Sequence, residues 1–363
     1  MLVERPTLSN LCILACLICA SLLTFKRRDT ASSFLDTVQT TQLKGLAILL
    51  VVIGHLWVHV TTKAAVPILG GYSVSVFLIM SGYGLTLSVK RKGINDFFRS
   101  RVSRVMLPYW IATLVWLSLD IFLLDKSYSN FELFMTLIGV NISRHVVRID
   151  YVRWFITLLL IWYIIFYISH RTMAPSRSVY LQLFIGFVLC IFNLAGLFPV
   201  GKTYQIIAFP IGCLLAHFIE QLRPLVSTKR LLVAFAISAV VMIIAGPIMI
   251  EFKELGGGLA PMLKRALFEN LFSLAFFVVL TVILSAFGSY CSQFLWYCGI
   301  ISYELFLIHG PVLIKYNMVF PLMPQTDIVV TFTLLSVIMI FMASIFRFVL
   351  QQAYLIADHK RNN

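Results

Sequence analysis

A lysine and a histidine lie eleven residues apart in one apolar tract, with Lys44 at its start and His55 inside it. On an α-helix eleven residues make about three turns, so both side chains lie on one face, roughly 16 Å apart. An ionisable side chain inside a lipid-spanning segment is costly, which makes it a candidate functional residue. A neutral imidazole can take a proton from a hydroxyl nucleophile. His55 is therefore a candidate general base, and the alternative is a histidine bonded to a neighbouring helix for packing.

Two arginines, Arg101 and Arg104, lie three residues apart, just before Pro108. At this spacing on a helix both guanidinium groups face one side, where they can bind phosphate oxygens. They could hold the phosphates of a soluble cofactor at the cytoplasmic surface. Membrane topology and contact with anionic lipid explain the same two charges. Ser81 lies in a segment of small residues and can hydrogen-bond across a helix interface.

The sequence does not predict a metal site. His59 follows His55 by one helical turn, but Leu56 occupies the position where the HExxH zinc motif carries glutamate. The seven cysteines lie in or beside apolar segments and lack CxxC spacing. This distribution is typical of core or lipid-facing cysteines and not of a disulfide or metal framework.

The composition indicates a membrane protein. Of 363 residues, 60% are hydrophobic and only 12% are charged, whereas soluble domains carry about a quarter charged residues. Apolar runs of about 20 residues recur along the chain. The predicted fold is all-α, a polytopic helical membrane protein with ten core transmembrane helices plus an N-terminal helix. The apolar runs cover residues 8–25, 43–60, 72–89, 106–124, 153–170, 178–197, 203–219, 231–250, 266–287, 294–316 and 328–350.

The basic residues lie in the short connections between these runs, which predicts their side of the membrane. The connection 90–104 is the most basic and is predicted to be cytoplasmic. The net charge of +14 is thus explained by topology, and no nucleic acid partner is expected. Segment 131–141 is too short to span and is predicted to be re-entrant or to lie on the outer surface. The chain is expected in the cell membrane as a multi-pass protein with its basic loops in the cytoplasm.

The first apolar run is predicted to be a transmembrane anchor within residues 1–30. A cleaved signal peptide is the alternative, because Arg5 precedes the run. The triple-basic sequence at 26–28 directly follows the run and favours an uncleaved anchor. Residues 40–352 are predicted to form one membrane domain.

Five motifs in this order resemble the membrane acyltransferase family 3, the integral-membrane O-acyltransferases of surface carbohydrates. Lys44 and His55 match that family's arginine, ten intervening residues and histidine, with lysine in place of arginine. The resemblance covers roughly residues 40–350. The other motifs are an FFxLSGF-like stretch at 76–83, an RxxR motif at 101–104 before Pro108-Tyr109, a Trp-Phe helix from Trp154, and an ISYSLYLxHxP-like helix at 299–311.

The resemblance implies a membrane-bound O-acyltransferase that moves an acetyl group from cytoplasmic acetyl-CoA to a hydroxyl of a surface or lipid-linked glycan. Acetyl-CoA would be a consumed acyl donor, with no cofactor tightly bound. Arg101 and Arg104 would bind the CoA phosphates, and His55 would act as the general base. Ser81 or Tyr303 would donate a hydrogen bond to the developing oxyanion. The expected partners are acyl-CoA, a carbohydrate or lipid-linked glycan acceptor and the lipid bilayer.

Two residues depart from the family pattern. Lys44 has no bidentate fork, so any contact to a phosphate or carboxylate there is a point-charge interaction. Glu304 replaces a serine and places a carboxylate in an apolar helix; it is expected to orient His55 or to pair with Lys44, and a wet position without a catalytic part is the alternative. His309 follows, and a structural or acceptor-side role is expected for it. No WSLxxE-type glutamate follows Trp154, so a carboxylate partner of His55 cannot be carried over from the branch of the family that has this motif.

A transporter or flippase of a glycan or lipid precursor is the alternative function. Many helices, intramembrane polar residues and Pro/Gly interruptions at 210–212 and 246–247 suit a transporter equally well. Lys44 and His55 would then belong to a proton path. The sequence does not indicate the sugar, the hydroxyl, the length of the acyl chain or the oligomeric state.

Overall fold

The computed structural model describes residues 6–29, 33–60, 67–141, 150–197, 201–254, 258–316 and 328–362. Within these residues nine helices are long and apolar enough to cross a membrane. This confirms the prediction of an all-α polytopic membrane protein. Of the ten predicted core helices, nine are these long helices, and the tenth segment is broken into shorter ones.

The elements are numbered in chain order. The helices before the first long connection are α1 (Pro6–Leu23), α2 (Thr37–Val60), α3 (Pro67–Lys92), α4 (Phe97–Arg101), α5 (Leu107–Leu124) and α6 (Asn130–Leu137). The following helices are α7 (Trp154–Thr172), α8 (Pro175–Leu194), α9 (Thr203–Ile206), α10 (Ala208–Leu222), α11 (Thr228–Glu254), α12 (Leu259–Ala286), α13 (Gln293–Ile300), α14 (Ser302–Gly310) and α15 (Ile328–Asn362). Two π-helical turns, Val102–Met106 and Pro311–Lys315, follow α4 and α14, and 3-10 turns lie at Tyr151–Arg153 and Arg223–Leu225.

Helix α2 begins at Thr37, two turns earlier than the apolar pattern predicts. Asp36 caps it, because its carboxylate accepts a hydrogen bond of 2.9 Å from the backbone N–H of Gln39. Lys44 therefore lies two turns inside the helix, and His55 lies about 27 Å from its first residue. The histidine is consequently nearer the far end of the helix than its middle.

Segment 131–141 runs back along α5. Tyr109 and Trp110, near the start of α5, donate hydrogen bonds of 2.6 and 2.7 Å to the carbonyls of Thr136 and Leu137. Helix α6 therefore begins near the end of α5 and returns towards its start. Of the two predictions for this segment, the contacts fit the re-entrant one.

A two-stranded sheet ties the N-terminal helix to the rest of the fold. Strands β1 (Phe25–Arg27) and β2 (Tyr290–Ser292) pair antiparallel, with Lys26 opposite Cys291. The sequence analysis predicted no strand here, because neither three-residue segment shows a recognisable pattern alone. The pairing joins residues more than 260 positions apart, so only the tertiary structure creates it.

The tenth predicted helix, 294–316, is broken at Ile301 into α13 and α14. This broken helix runs parallel to α2 and approaches it closely through two glycines. A Cβ atom on Gly45 would lie 1.9 Å from the Leu295 carbonyl oxygen, and one on Gly299 would lie 1.9 Å from the Thr41 carbonyl oxygen. Small residues permit such backbone contacts between membrane helices.

Replacing Asp36 with alanine is expected to destabilise the fold by about 1–2 kcal/mol, because the cap of α2 is lost. The Arg28 guanidinium, 2.6 Å from this carboxylate, also loses its partner. Partial burial alone raises the pKa of Asp36, but hydrogen bonds from the Gln39 amide, Arg28 and the Ser33 amide outweigh it, so the pKa lies below its ordinary value of 3.8.

Asp36→Asn is the matched variant, since asparagine caps a helix without carrying a charge. A lowered pKa contributes stability above the ordinary value, and this is lost as the pH falls through the folded-state pKa. The wild type is therefore expected to melt above the asparagine variant at neutral pH, with the difference shrinking as the pH drops below 3.8. Thermal melts in detergent measure this, and a pH-independent difference would contradict the assignment.

Candidate active site

One cavity of about 550 Å³ lies between α2, α3, α7, the broken helix α13–α14 and the segment around Arg101. We call it the basic cavity. Five residues that the sequence analysis selected line it, namely Lys44, Ser81, Arg101, Arg104 and Tyr303. The structure thus brings together side chains from four separate segments of the chain.

The cations of the basic cavity have no acidic neighbours in its wall. Among the described residues that line it, six are basic and none is acidic. A concentration of one sign of charge in a cleft attracts ligands of the opposite sign. The six are Lys44, Arg91, Lys92, Arg101, Arg104 and Arg347.

The inner wall of the basic cavity is apolar. Phe155 and Phe306, which are both buried, line it with their ring centroids 5.0 Å apart. The cavity therefore combines a cationic part with an apolar part, which suits a ligand that carries phosphates at one end and an uncharged chain at the other. The remaining apolar lining comes from Val51, Val74, Phe77, Met80, Leu85, Val105, Leu159 and Ile300.

Arg101 and Arg104 reach the basic cavity from a distorted helix. Residues 102–106 form a π-helical turn between α4 and α5, and such turns are frequent at functional sites. The Arg101 guanidinium lies 5.9 and 5.8 Å from the ring centres of Phe97 and Tyr163, which hold it by cation–π contact. Its Nε atom is buried without a hydrogen-bond partner among the described residues.

Tyr303 lines the basic cavity, but its hydroxyl proton is already engaged. The hydroxyl donates a hydrogen bond of 2.9 Å to the carbonyl of Val105 in the π-helical turn. In this arrangement Tyr303 does not offer that proton to an oxyanion, contrary to the expectation from the sequence. Its position instead anchors the broken helix to the arginine-bearing segment.

Glu304 contacts neither His55 nor Lys44 and pairs with Arg347 instead. The Arg347 Nη1 atom lies 3.2 Å from a Glu304 carboxylate oxygen and 2.8 Å from the Ile300 carbonyl oxygen, to which it also donates. The expectation that Glu304 orients His55 or pairs with Lys44 was wrong because of helical geometry. Five residues turn an α-helix by about 500°, so Glu304 faces α15 while His309 faces α2. Glu304 therefore positions a cation of the basic cavity.

His55 lies next to His309, beyond the inner wall of the basic cavity. The two ring centroids are 5.2 Å apart, and we call these residues the histidine pair. Neither ring lines the cavity, but Val51, one turn before His55, does. The Phe306 ring, also in the cavity wall, is 5.6 Å from the His309 ring. One layer of side chains therefore separates the pair from the cavity.

The close contact between α2 and α13 sets the height of the histidine pair. His55 follows Gly45 by ten residues, and His309 follows Gly299 by ten residues. Because the two helices run parallel from this contact, equal spacings bring the rings to the same level. His309 is fully buried, whereas His55 is partly exposed. The side chain of His59 lies outside the described part of the chain.

Sequence analysis missed three cations of the basic cavity and a buried ion pair next to the histidine pair. Arg347 was detectable as the charged residue within the apolar run 328–350. Asp150 and Arg153, whose side chains are each 1% exposed, pair at 3.3 Å just before α7. Arg153 also donates to Thr113 at 2.6 Å and lies over the Tyr109 ring. No local pattern indicated that this loop segment folds inward.

A further carboxylate inside the helical bundle is fully paired. Asp120, which is completely buried in α5, accepts hydrogen bonds from the Tyr128 and Tyr316 hydroxyls at 2.5 and 2.6 Å and from Lys315. A carboxylate in a lipid-spanning helix requires such partners. These contacts tie the turn after α14 to the end of α5, so we assign them a structural role.

The fold and the site define a helical membrane protein with a polycationic cavity. The family model described as an acyltransferase domain matches residues 40–348 of the chain. The match covers most of the chain, so the protein belongs to this acyltransferase family. No curated protein and no solved structure matches the chain.

Gly299→Ala is expected to separate α2 from α13 and to lower the melting temperature, because its Cβ would overlap the Thr41 carbonyl. Overpacking of this kind costs about 1–3 kcal/mol. Gly246→Ala is the matched control, since the nearest atom to its Cβ is a Phe272 ring carbon at 3.9 Å. Melting curves in detergent compare the two, and equal stability of both variants would contradict the packing assignment.

Proposed function

We propose that the protein is an O-acyltransferase that transfers an acetyl group from cytoplasmic acetyl-CoA to a hydroxyl of a surface or lipid-linked glycan. Membership of the acyltransferase family supports the reaction class. The basic cavity carries the donor assignment, because its described lining has six cations, no acidic residue and an apolar inner wall. The identities of the donor, acetyl-CoA, and of the acceptor, a glycan, go beyond the family match and are part of the proposal.

Coenzyme A fits the character of the basic cavity. Its phosphates are anionic and would meet Arg101 and Arg104, whose guanidinium groups form charge-assisted hydrogen bonds with phosphate oxygens. Its pantetheine arm and acyl group are uncharged and would extend along the apolar inner wall towards the histidine pair. Lys44, which has no ion-pair partner among the described residues, would contribute a further positive charge.

The reaction needs one base and no redox partner. His55 takes the proton of the acceptor hydroxyl as the oxygen attacks the thioester carbonyl carbon. The carbon–sulfur bond breaks, the new carbon–oxygen ester bond remains, and the proton passes to the departing thiolate. Ser81, which lines the basic cavity, is the remaining candidate donor to the oxyanion.

The proposed sidedness rests on the same basic residues. Arg91, Lys92, Arg101 and Arg104 belong to the connection that the positive-inside rule places in the cytoplasm. The donor would thus enter the basic cavity from the cytoplasmic side of the cell membrane. His55, near the far end of α2, would meet an acceptor that arrives from the other side.

Purified protein is expected to release free CoA from acetyl-CoA when a glycan acceptor is present. A thiol-reactive dye measures CoA release, and mass spectrometry of the acceptor measures the gain of one acetyl group. Protein that ignores acetyl-CoA but moves a glycan or lipid precursor across proteoliposomes would favour the transporter and overturn the proposal. Mass spectrometry of surface glycans from cells with and without the gene identifies the acceptor.

Arg104→Gln is expected to raise the KM for acetyl-CoA about tenfold or more, since a hydrogen bond to a charged group is worth about 1.5–3 kcal/mol. The kcat should change little, because Arg104 is far from the thioester in this assignment. Arg177→Gln, which removes another exposed arginine outside the basic cavity, is the control and should leave KM unchanged. Equal effects of the two substitutions would argue against phosphate binding in the cavity.

His55→Ala is expected to lower kcat by about 10²–10⁴-fold, the usual contribution of a general base. The protein should remain folded, with an unchanged KM for acetyl-CoA. Steady-state kinetics with a saturating acceptor and a thermal melt measure the two properties. Retained turnover in the alanine variant would refute the role of His55 as the base.

A further inference from the structure

The His309 ring has one fixed tautomer while it is neutral. Its Nδ1 atom lies 2.8 Å from the carbonyl oxygen of Phe306. A carbonyl oxygen only accepts hydrogen bonds, so Nδ1 must carry the hydrogen. The lone pair of the neutral ring is then on Nε2. The local backbone of α14 therefore decides which nitrogen of His309 can accept a proton or a hydrogen bond.

The accepting nitrogen of His309 is buried and unused. The side chain is fully buried, and Nε2 has no hydrogen-bond partner among the described residues. Leaving a buried acceptor unpaired costs about 1–3 kcal/mol. An unpaired acceptor at this depth is unfavourable, so a hydrogen-bond partner for this lone pair is expected.

The neighbour best placed to use this lone pair is His55. The two rings are 5.2 Å apart and tilted by 41°, and both are held at this level by the contact between Gly45 and Gly299. His55 is partly exposed, whereas His309 is not. A substrate would therefore reach His55 first, with His309 behind it.

A carboxylate packs on the residue that follows His309. Asp150 Oδ1 packs so closely on the backbone of Gly310 that a Cβ there would be 2.5 Å from it. The other oxygen of Asp150 faces Arg153 at 3.3 Å.

We propose that His309 is the positioning residue of His55, accepting a hydrogen bond from its ring N–H at Nε2. This inference rests on the proposed function. The bond would direct the other nitrogen of His55 towards the acceptor hydroxyl and stabilise the imidazolium that forms when the proton is taken. Serine hydrolases give this task to a carboxylate. His309 itself touches no reacting atom, and the proton still passes from the hydroxyl to His55 and then to the thiolate.

Two substitutions separate this role from a structural one. In His309→Asn the side-chain amide keeps a donor near the Nδ1 position, facing Phe306, but removes the acceptor at Nε2. In His309→Gln the amide oxygen can replace the acceptor at Nε2, while the donor to Phe306 is lost. We expect the asparagine variant to lose about 10²-fold in kcat with an unchanged KM for acetyl-CoA, and the glutamine variant to keep more kcat.

A purely structural role of His309 predicts the opposite ranking of the asparagine and glutamine variants. If the bond to Phe306 is all that matters, His309→Asn retains its kcat and His309→Gln melts early, and that result would overturn the inference. His170→Asn is the matched control, because His170 Nδ1 also faces a helix carbonyl, that of Phe166 at 3.1 Å, outside the basic cavity. It is expected to leave both kcat and KM unchanged.

The tautomer of His309 can be measured without turnover, so this inference can be tested separately from the proposed function. Nitrogen-15 NMR of histidine-labelled protein, with His309→Asn used to assign the signal, reports the tautomer of His309. A hydrogen on Nδ1 of the neutral ring is expected, and one on Nε2 would overturn the inference. Wild-type protein that shows the expected tautomer but transfers no acyl group would count against the proposed function alone.

Discussion

The contact between α2 and the broken helix is the constraint on which the site depends. Gly45 and Gly299 let two backbones approach more closely than any side chain would allow. The parallel direction and the equal spacing then set His55 beside His309. The same contact places Lys44, next to Gly45, on the wall of the basic cavity. One packing interaction thus positions both the cationic and the proton-accepting parts of the site.

The charges inside the helical bundle fall into two classes that have different physical consequences. Asp120 and the Asp150–Arg153 pair are buried and bonded, so their charges are largely compensated within the protein. The cations of the basic cavity are different, because among the described residues only Arg347 has a carboxylate partner, Glu304. Holding the remaining cations together is unfavourable until a ligand supplies negative charge. This imbalance, more than the shape of the cavity, is the basis for proposing a polyanionic donor.

A wall of side chains separates the basic cavity from the histidine pair. Phe306 contacts the cavity on one side and the His309 ring on the other, and Val51 lies one turn from His55. A donor in the cavity and an acceptor beyond His55 would approach this wall from opposite faces of the membrane. In the proposed reaction only the acyl end of the donor would pass this wall to meet the acceptor hydroxyl at His55, so neither the charged part of the donor nor the polar acceptor would have to cross lipid.

Local patterns in the sequence were sufficient for the helical class and most of the spans, because apolar length and the period of the helix are properties of short segments. The spacing of Lys44 and His55 could be read directly. The partner of Glu304 could not, since Arg347 lies 43 positions away and faces it only after α14 and α15 pack. Equally, the pairing of His55 with His309 joins two distant helices. Residues on one helix share a face by geometry, but which faces meet is decided by packing among all the helices.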